Sequence, residues 1–182
     1  MIIENKNIIL GVCGGIAAYK SCDIIRHLVK LKANVECILT KSGSQFITLF
    51  TLQTLSKNKV YQDMFEIPDE WEIKHISLAK KADIIVIVPA TADIIARLAC
   101  GRADDLLSCT VLASKAGILI CPAMNTNMFN HQATQNNIKT LKDYGYKFVM
   151  PEKGELACGD LGDGRLAPVE VIISSIINLK QI

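Results

Sequence analysis

Apolar and polar positions divide the chain into alternating short strands and helices. Residues 7–12 form a short apolar run ending in Gly11-Val12-Cys13-Gly14-Gly15, which predicts a strand entering a Gly-bearing turn. A helix is predicted over about 16–31, where Ile24, Ile25, Leu28, Val29 and Leu31 recur at helical spacing. Residues 34–39 make a second strand, followed by the polar turn Thr40-Lys41-Ser42-Gly43. Short helical stretches are expected at 44–48 and 51–56, whereas 60–72, which contains Pro68, gives no clear element. Residues 75–82 read as one or two helical turns, and 83–88 is the strongest strand pattern, stopped by Pro89. Helices follow at 92–99 and 106–114, a buried strand at 117–121, a helix at 132–144, a strand at 146–150 and a last helix at 168–179.

Strands that alternate with helices predict an α/β protein: a three-layer α/β/α, doubly wound (Rossmann-like or flavodoxin-like) parallel sheet, in one domain spanning 1–182. Ligands in such sheets bind beyond the carboxyl ends of the strands. The Gly-bearing and polar turns singled out here all follow strands, so they are expected at one edge. Residues 154–164, GELACGDLGDG, break the pattern: with four glycines they predict a long loop, too flexible for a helix and too polar for a core strand.

Composition narrows the picture. Half of the residues are hydrophobic but only 5% are aromatic, so aliphatic side chains must fill the core. A net charge of +2 with interspersed signs leaves no basic stripe for nucleic acid. Glu4 interrupts any secretory leader and the apolar runs are far short of a membrane span, so a cytoplasmic protein without membrane contact is expected. Seven cysteines without C-x-x-C spacing, and His27, His75 and His131 far apart, argue against a metal site and for a reducing compartment.

Six places can carry chemistry. The Gly11–Lys20 turn offers backbone N–H groups to a mononucleotide phosphate, or its glycines serve sterics alone. Thr40 and Ser42, with Phe46 nearby, either complete that cradle or form a plain polar loop. In Val88-Pro89-Ala90-Thr91-Ala92-Asp93-Ile94, Thr91 can cap the next helix, and the small residues either let a flat ring approach the backbone or mark an ordinary helix start. Asn125, after Cys121-Pro122-Ala123-Met124, either caps a helix or binds a carboxylate or amide. Cys158, flanked by Gly159 and near Asp160, is a proton donor or nucleophile, or an unreactive loop thiol. His75 is a general base or a structural histidine.

Taken in order, GGIAAYK (14–20), KHISLAKKAD (74–83), PATAD (89–93), PAMNTNM (122–128) and ACGDLGDGR (157–165) resemble the homo-oligomeric flavin-containing cysteine decarboxylases over about 8–177. Within that family they are most similar to the branch acting on 4'-phosphopantothenoylcysteine. The resemblance implies FMN held by Gly11, Gly14, Gly15 and Ile16, by Thr40, Ser42 and Phe46, by Thr91, Ala92 and Asp93, and by Ala123. It implies His75 as base, Asn125 holding the substrate carboxylate, Cys158 as proton donor on a flap, and substrate contacts from Met128, Ala157 and Gly159. The implied reaction runs through thioaldehyde and enethiolate forms of the substrate to 4'-phosphopantetheine, in a site shared between subunits of a trimer or a dodecamer of trimers. Two departures stand out: Cys13 where relatives often have Ser, and Phe129 where they often have Trp or Tyr. With the chain ending at Ile182, a separate synthetase partner is expected. The alternatives are a peptidyl-cysteine decarboxylase of antibiotic maturation, disfavoured by the Cys158 motif, and a non-catalytic flavin-binding regulatory subunit.

Overall fold

In the computed structural model, which describes residues 3–65, 73–157, 159 and 161–179, the predicted alternation closes into a parallel sheet. Its strands are β1 (Asn7–Val12), β2 (Asn34–Leu39), β3 (Val60–Tyr61), β4 (Ile84–Ala90), β5 (Gly117–Pro122) and β6 (Lys147–Phe148), in the order β3-β2-β1-β4-β5-β6. All pairings are parallel. Winding proceeds outward from β1 on one side and from β4 on the other, which makes their junction the topological switch point. The strands at either edge are only two residues long.

The helices are α1 (Ser21–Lys30), α2 (Leu49–Ser56), α3 (Lys74–Lys81), α4 (Ala92–Ala99), α5 (Leu106–Ala113), α6 (Thr126–Asn130), α7 (Gln132–Asp143) and α8 (Val169–Ile177). Alternation along the strands feeds two apolar layers. Ile8, Leu10 and Val12 of β1 pack with Ile24 and Leu28 of α1, Leu52 of α2 and Ile172 and Ile176 of α8. Ile9 of β1 and Ile85 and Ile87 of β4 turn the other way, onto Leu78 of α3, Ile94 and Leu98 of α4, Leu106 and Val111 of α5 and Leu141 of α7. All of β4 is buried, as expected of a central parallel strand covered on both faces. Among the described residues no helix is long and apolar enough to cross a membrane.

Four local expectations are corrected. The helix over 16–31 splits into a 3-10 turn, Ile16–Lys20, and α1. Pro89 does not stop its strand: β4 continues to Ala90 through a register irregularity, where a residue without an N–H can sit in a central strand. Ser21 Oγ donates to the adjacent Val88 carbonyl at 2.9 Å. The strand expected over 146–150 is confined to β6. Finally, 154–164 is no plain loop: β7 (Glu152–Glu155) and β8 (Leu161–Arg165) pair as an antiparallel hairpin outside the core, where polar residues cost nothing. The uncertain stretch 60–72 yields β3 at its start, and its residues 66–72 lie outside the described residues.

The start of the sheet is pinned by Asp83, whose Oδ2 accepts from Asn7 N–H at 2.8 Å and whose Oδ1 accepts from Lys6 Nζ at 3.0 Å. Burial alone would raise this carboxyl's pKa, but the Asn7 N–H and Lys6 outweigh it and hold it below the usual value. A depressed folded-state pKa gives stability that is present above the unfolded pKa, about 3.9, and lost as pH falls through the folded value. Asp83→Asn should therefore lower unfolding free energy at pH 7 by about 1 kcal/mol. Urea denaturation across pH should show the two proteins converging in strong acid.

Candidate functional site

A cavity of about 270 Å³ opens beyond the carboxyl ends of β1, β2 and β4, at the switch point. Much of its wall comes from segments that follow strands. Cys13 follows β1, and Thr40, Lys41 and Ser42 follow β2. Thr91 caps α4, Asp93 and Ile94 come from its first turn and Arg97 from its last. Asp105, Leu106 and Leu107 start α5, with Ile38 and Gln62 completing the lining.

Close packing fixes this edge. A Cβ on Gly11 would lie 2.5 Å from Leu107 Cδ1, and one on Gly14 would lie 2.6 Å from Ser42 Cβ. Sterics therefore account for Gly14. They do not account for Gly15, where the backbone is extended and an added Cβ would meet nothing within 4 Å. Its flank is open space, and no side chain caps the turn that follows.

The hydroxyls are oriented by their own loops. Thr40 Oγ1 donates to the Val12 carbonyl at 3.2 Å and accepts from Gly43 N–H at 3.0 Å, with Ser42 Oγ 3.3 Å away. Thr91 Oγ1 accepts from Ile94 N–H at 3.3 Å and so caps α4. Burial pushes the Cys13 thiol up to about 12, against a smaller lowering by a hydrogen bond to the Thr91 backbone. Cys13 is thus a neutral wall at physiological pH, not a thiolate.

A second cluster forms at the end of β5. Ala123 N–H donates to the Ala90 carbonyl at 3.0 Å, which ties this turn to the end of β4. Met124 N–H donates to the Gly164 carbonyl at 3.0 Å, which ties the hairpin to the same turn. Asn125 Oδ1 accepts from Asn127 N–H at 2.9 Å, so the residue does cap α6, a helix the sequence pattern did not reveal. Met128 is half exposed, and Phe129 is buried as an apolar wall. Gly159 adopts φ +85° and donates to the Leu156 carbonyl at 2.8 Å, next to Ala157. Cys158 and Asp160 lie outside the described residues.

His75 is half buried in the first turn of α3. Just beyond the far end of that helix, Asp83 N–H donates to the Asn7 carbonyl at the start of β1. The N-terminal turn of α3 therefore lies towards the carboxyl edge of the sheet, about 12 Å of helix away. Among the described residues, the cavity lining contains neither His75 nor Asn125. Of the expected cofactor contacts, Thr40, Ser42, Thr91 and Asp93 line the cavity. Gly11, Gly14, Gly15, Ile16, Phe46, Ala92 and Ala123 do not, and Ile16 and Phe46 are largely exposed.

Sequence reading missed Arg97, Asp105 and the Leu106-Leu107 wall. Two signals were present: Arg97 stands four residues after Asp93, and Asp105 with Ser108 forms a reciprocal capping box.

A cavity of this kind, at the switch point of a doubly wound sheet, accords with the family match, which covers residues 2–181. The chain belongs to the Flavoprotein family. This flavoprotein is 45% identical over 172 residues to the coenzyme A biosynthesis bifunctional protein CoaBC of Bacillus subtilis, spanning 94% of this chain and 42% of that protein. It is 44% identical over 173 residues to the "Probable phosphopantothenoylcysteine decarboxylase" of Streptococcus mutans, spanning 94% and 97% of the two chains. The chain thus spans less than half the length of the bifunctional relatives it matches. Among solved structures, a PPC decarboxylase mutant complexed with pantothenoylaminoethenethiol superposes with a TM-score of 0.84 at 29% identity, covering 95% of this flavoprotein and 97% of that chain. The FMN-dependent cysteine decarboxylase SpaF superposes with a TM-score of 0.84 at 26% identity, covering 97% of each chain.

The hairpin of this flavoprotein rests on a backbone contact that no side chain can share. Gly164 has φ +131°, and a Cβ there would lie 2.1 Å from the Met124 carbonyl oxygen. Gly164→Ala should detach β8 from the Asn125 turn at a cost of about 1–3 kcal/mol. Amide exchange should accelerate selectively in 152–165 and 124–130 while β1 and β4 keep their protection.

Proposed function

We propose that this chain catalyses FMN-dependent decarboxylation of 4'-phospho-N-pantothenoylcysteine to 4'-phosphopantetheine, a step of coenzyme A synthesis. The observation that carries the proposal is the switch-point cavity, polar on the Thr40–Ser42 side and apolar at Ile38, Ile94, Leu106 and Leu107. Its residues fit FMN. Apolar walls suit a flat heteroaromatic ring, and hydroxyls at Thr40, Ser42 and Thr91 suit a polyol. The open flank of Gly15 leaves backbone accessible to a phosphate. The similarity to relatives named for this reaction, one of them matched over 97% of its length, supports the same reading.

When bound, FMN supplies a two-electron acceptor that returns its electrons at the end of the cycle, so no external oxidant is consumed. The chain's own residues handle protons and orientation. The His75 imidazole takes the thiol proton as the substrate's CH2–SH group is oxidised to a thioaldehyde. That group lies beta to the carboxylate and accepts the electron pair left when CO2 departs. The Asn125 amide NH2 donates to the substrate carboxylate, with its orientation fixed by the Oδ1 contact to Asn127 N–H. Cys158 protonates the carbon of the resulting enethiolate, which is then reduced to the product. Met128, Ala157 and Gly159 flank the substrate.

The functional unit in this proposal is a homo-oligomer in which His75 reaches the cavity of a neighbouring copy. Support comes from the absence of His75 from its own cavity's lining, and from large apolar side chains left exposed at Ile16, Phe46, Phe50 and Ile73. A phosphopantothenoylcysteine synthetase, on another chain or another segment, supplies the substrate.

Mass spectrometry of the FMN-loaded protein with 4'-phosphopantothenoylcysteine tests the assignment. Wild type should yield 4'-phosphopantetheine, Cys158→Ser should accumulate the enethiol, and His75→Gln should slow turnover by roughly 100-fold or more. Absence of CO2 release from FMN-loaded wild type would sink the assignment. Release that stops at the enethiol in wild type would favour a peptidyl-cysteine decarboxylase.

A further inference from the structure

The cavity has an electrostatic problem and, in Arg97, a local answer to it. Asp93 from α4 and Asp105 from the start of α5 both line it, and Asp104 lies next to Asp105. A phosphorylated ligand entering there approaches carboxylates, and Lys41 is the cation on the β2 side of the lining. We propose that Arg97 is the positioning residue that makes this cavity acceptable to an anion, by binding and neutralising those carboxylates together. The inference rests on the flavin reading given above.

The geometry is specific. Arg97 Nε lies 2.9 Å from Asp93 Oδ2, and one terminal nitrogen lies 2.5 Å from Asp104 Oδ1 and 3.4 Å from Asp105 Oδ2. Arg102 adds a second cation, but it pairs with Asp104, at 2.6 Å, and neither of the two lines the cavity. Asp93 and Asp105, the two carboxylates of the lining, are thus joined through Arg97 alone among the described ion pairs. Cys13, also in the lining, carries no charge that would alter the balance. The planar guanidinium fork serves partners on several sides at once, which a single ammonium does less well. The same contacts join α4 to the turn before α5, so one side chain sets both the shape and the charge of this wall.

Asp105 caps α5 independently of Arg97. Asp105 Oδ1 accepts from Ser108 N–H and Ser108 Oγ, each at 2.7 Å, and Arg97 approaches its other oxygen. Asparagine at 105 would retain the cap while removing the charge. Charge and folding can therefore be separated by mutation.

The test is FMN and riboflavin titration of flavin-stripped protein, followed by flavin fluorescence, at low and high salt. Flavin binding by wild type, measured first, tests the underlying reading by itself. Arg97→Gln should then raise the FMN Kd about tenfold at low salt, as expected for one unbalanced charge at a partly screened site. The ratio of variant to wild-type Kd should shrink at high salt. Riboflavin, which lacks the phosphate, should change much less. Arg97→Lys, which keeps the charge but not the fork, should fall between wild type and Arg97→Gln, and adding Asp105→Asn to Arg97→Gln should recover part of the lost affinity. A loss equal for both flavins and insensitive to salt would overturn the proposal in favour of a purely structural tie. If Arg97→Gln fails to fold, Asp105→Asn alone decides: tighter FMN binding at low salt supports the proposal, and unchanged binding overturns it.

Discussion

Six parallel strands packed on both faces keep nearly every side chain of β1, β4 and β5 away from water, and this exclusion decides where chemistry can happen. A strand buried in that way can carry only aliphatic or very small residues along its length. Polar groups must wait for the turns beyond its end. The crossovers run in opposite directions from β1 and β4, so the turns at their ends part and leave a crevice between them. The cavity is thus a product of topology before it is a product of particular residues. Gly11 and Gly14 then set its dimensions, because Leu107 and Ser42 occupy the space their side chains would need.

The fold was legible because its elements are locally consistent. The run over 84–90 has no period that a surface helix could use, and the helical spacing of Ile24, Ile25 and Leu28 fits no strand. What misled was local chemistry overridden by pairing. Pro89 reads as a strand terminator, yet it is tolerated at an irregularity between β4 and β5. The glycine-rich 154–164 stretch reads as a loop, yet an antiparallel partner turns it into a hairpin. Five-residue α6 is too short to show a period at all.

The site was half legible for a related reason. Thr40, Ser42 and Thr91 stand in turns that directly follow strands and Asp93 in the helical turn just after, so sequence order alone brings them to one edge. Arg97 and Asp105 belong to two different helices, and their meeting depends on how α4 packs beside α5, which no linear pattern encodes. Asn125 shows that two readings of a residue need not compete. It caps α6 through Oδ1, and in the proposed chemistry the same contact orients the amide that meets the carboxylate.

The shortness of β3 and β6 carries a consequence for self-association. An edge of two residues exposes too little unpaired backbone to template another strand, so among the described residues the ends of the six-stranded sheet offer little ladder for growth from copy to copy. Association past those edges would be read out by side-chain shape, which favours closed assemblies over strand-by-strand extension.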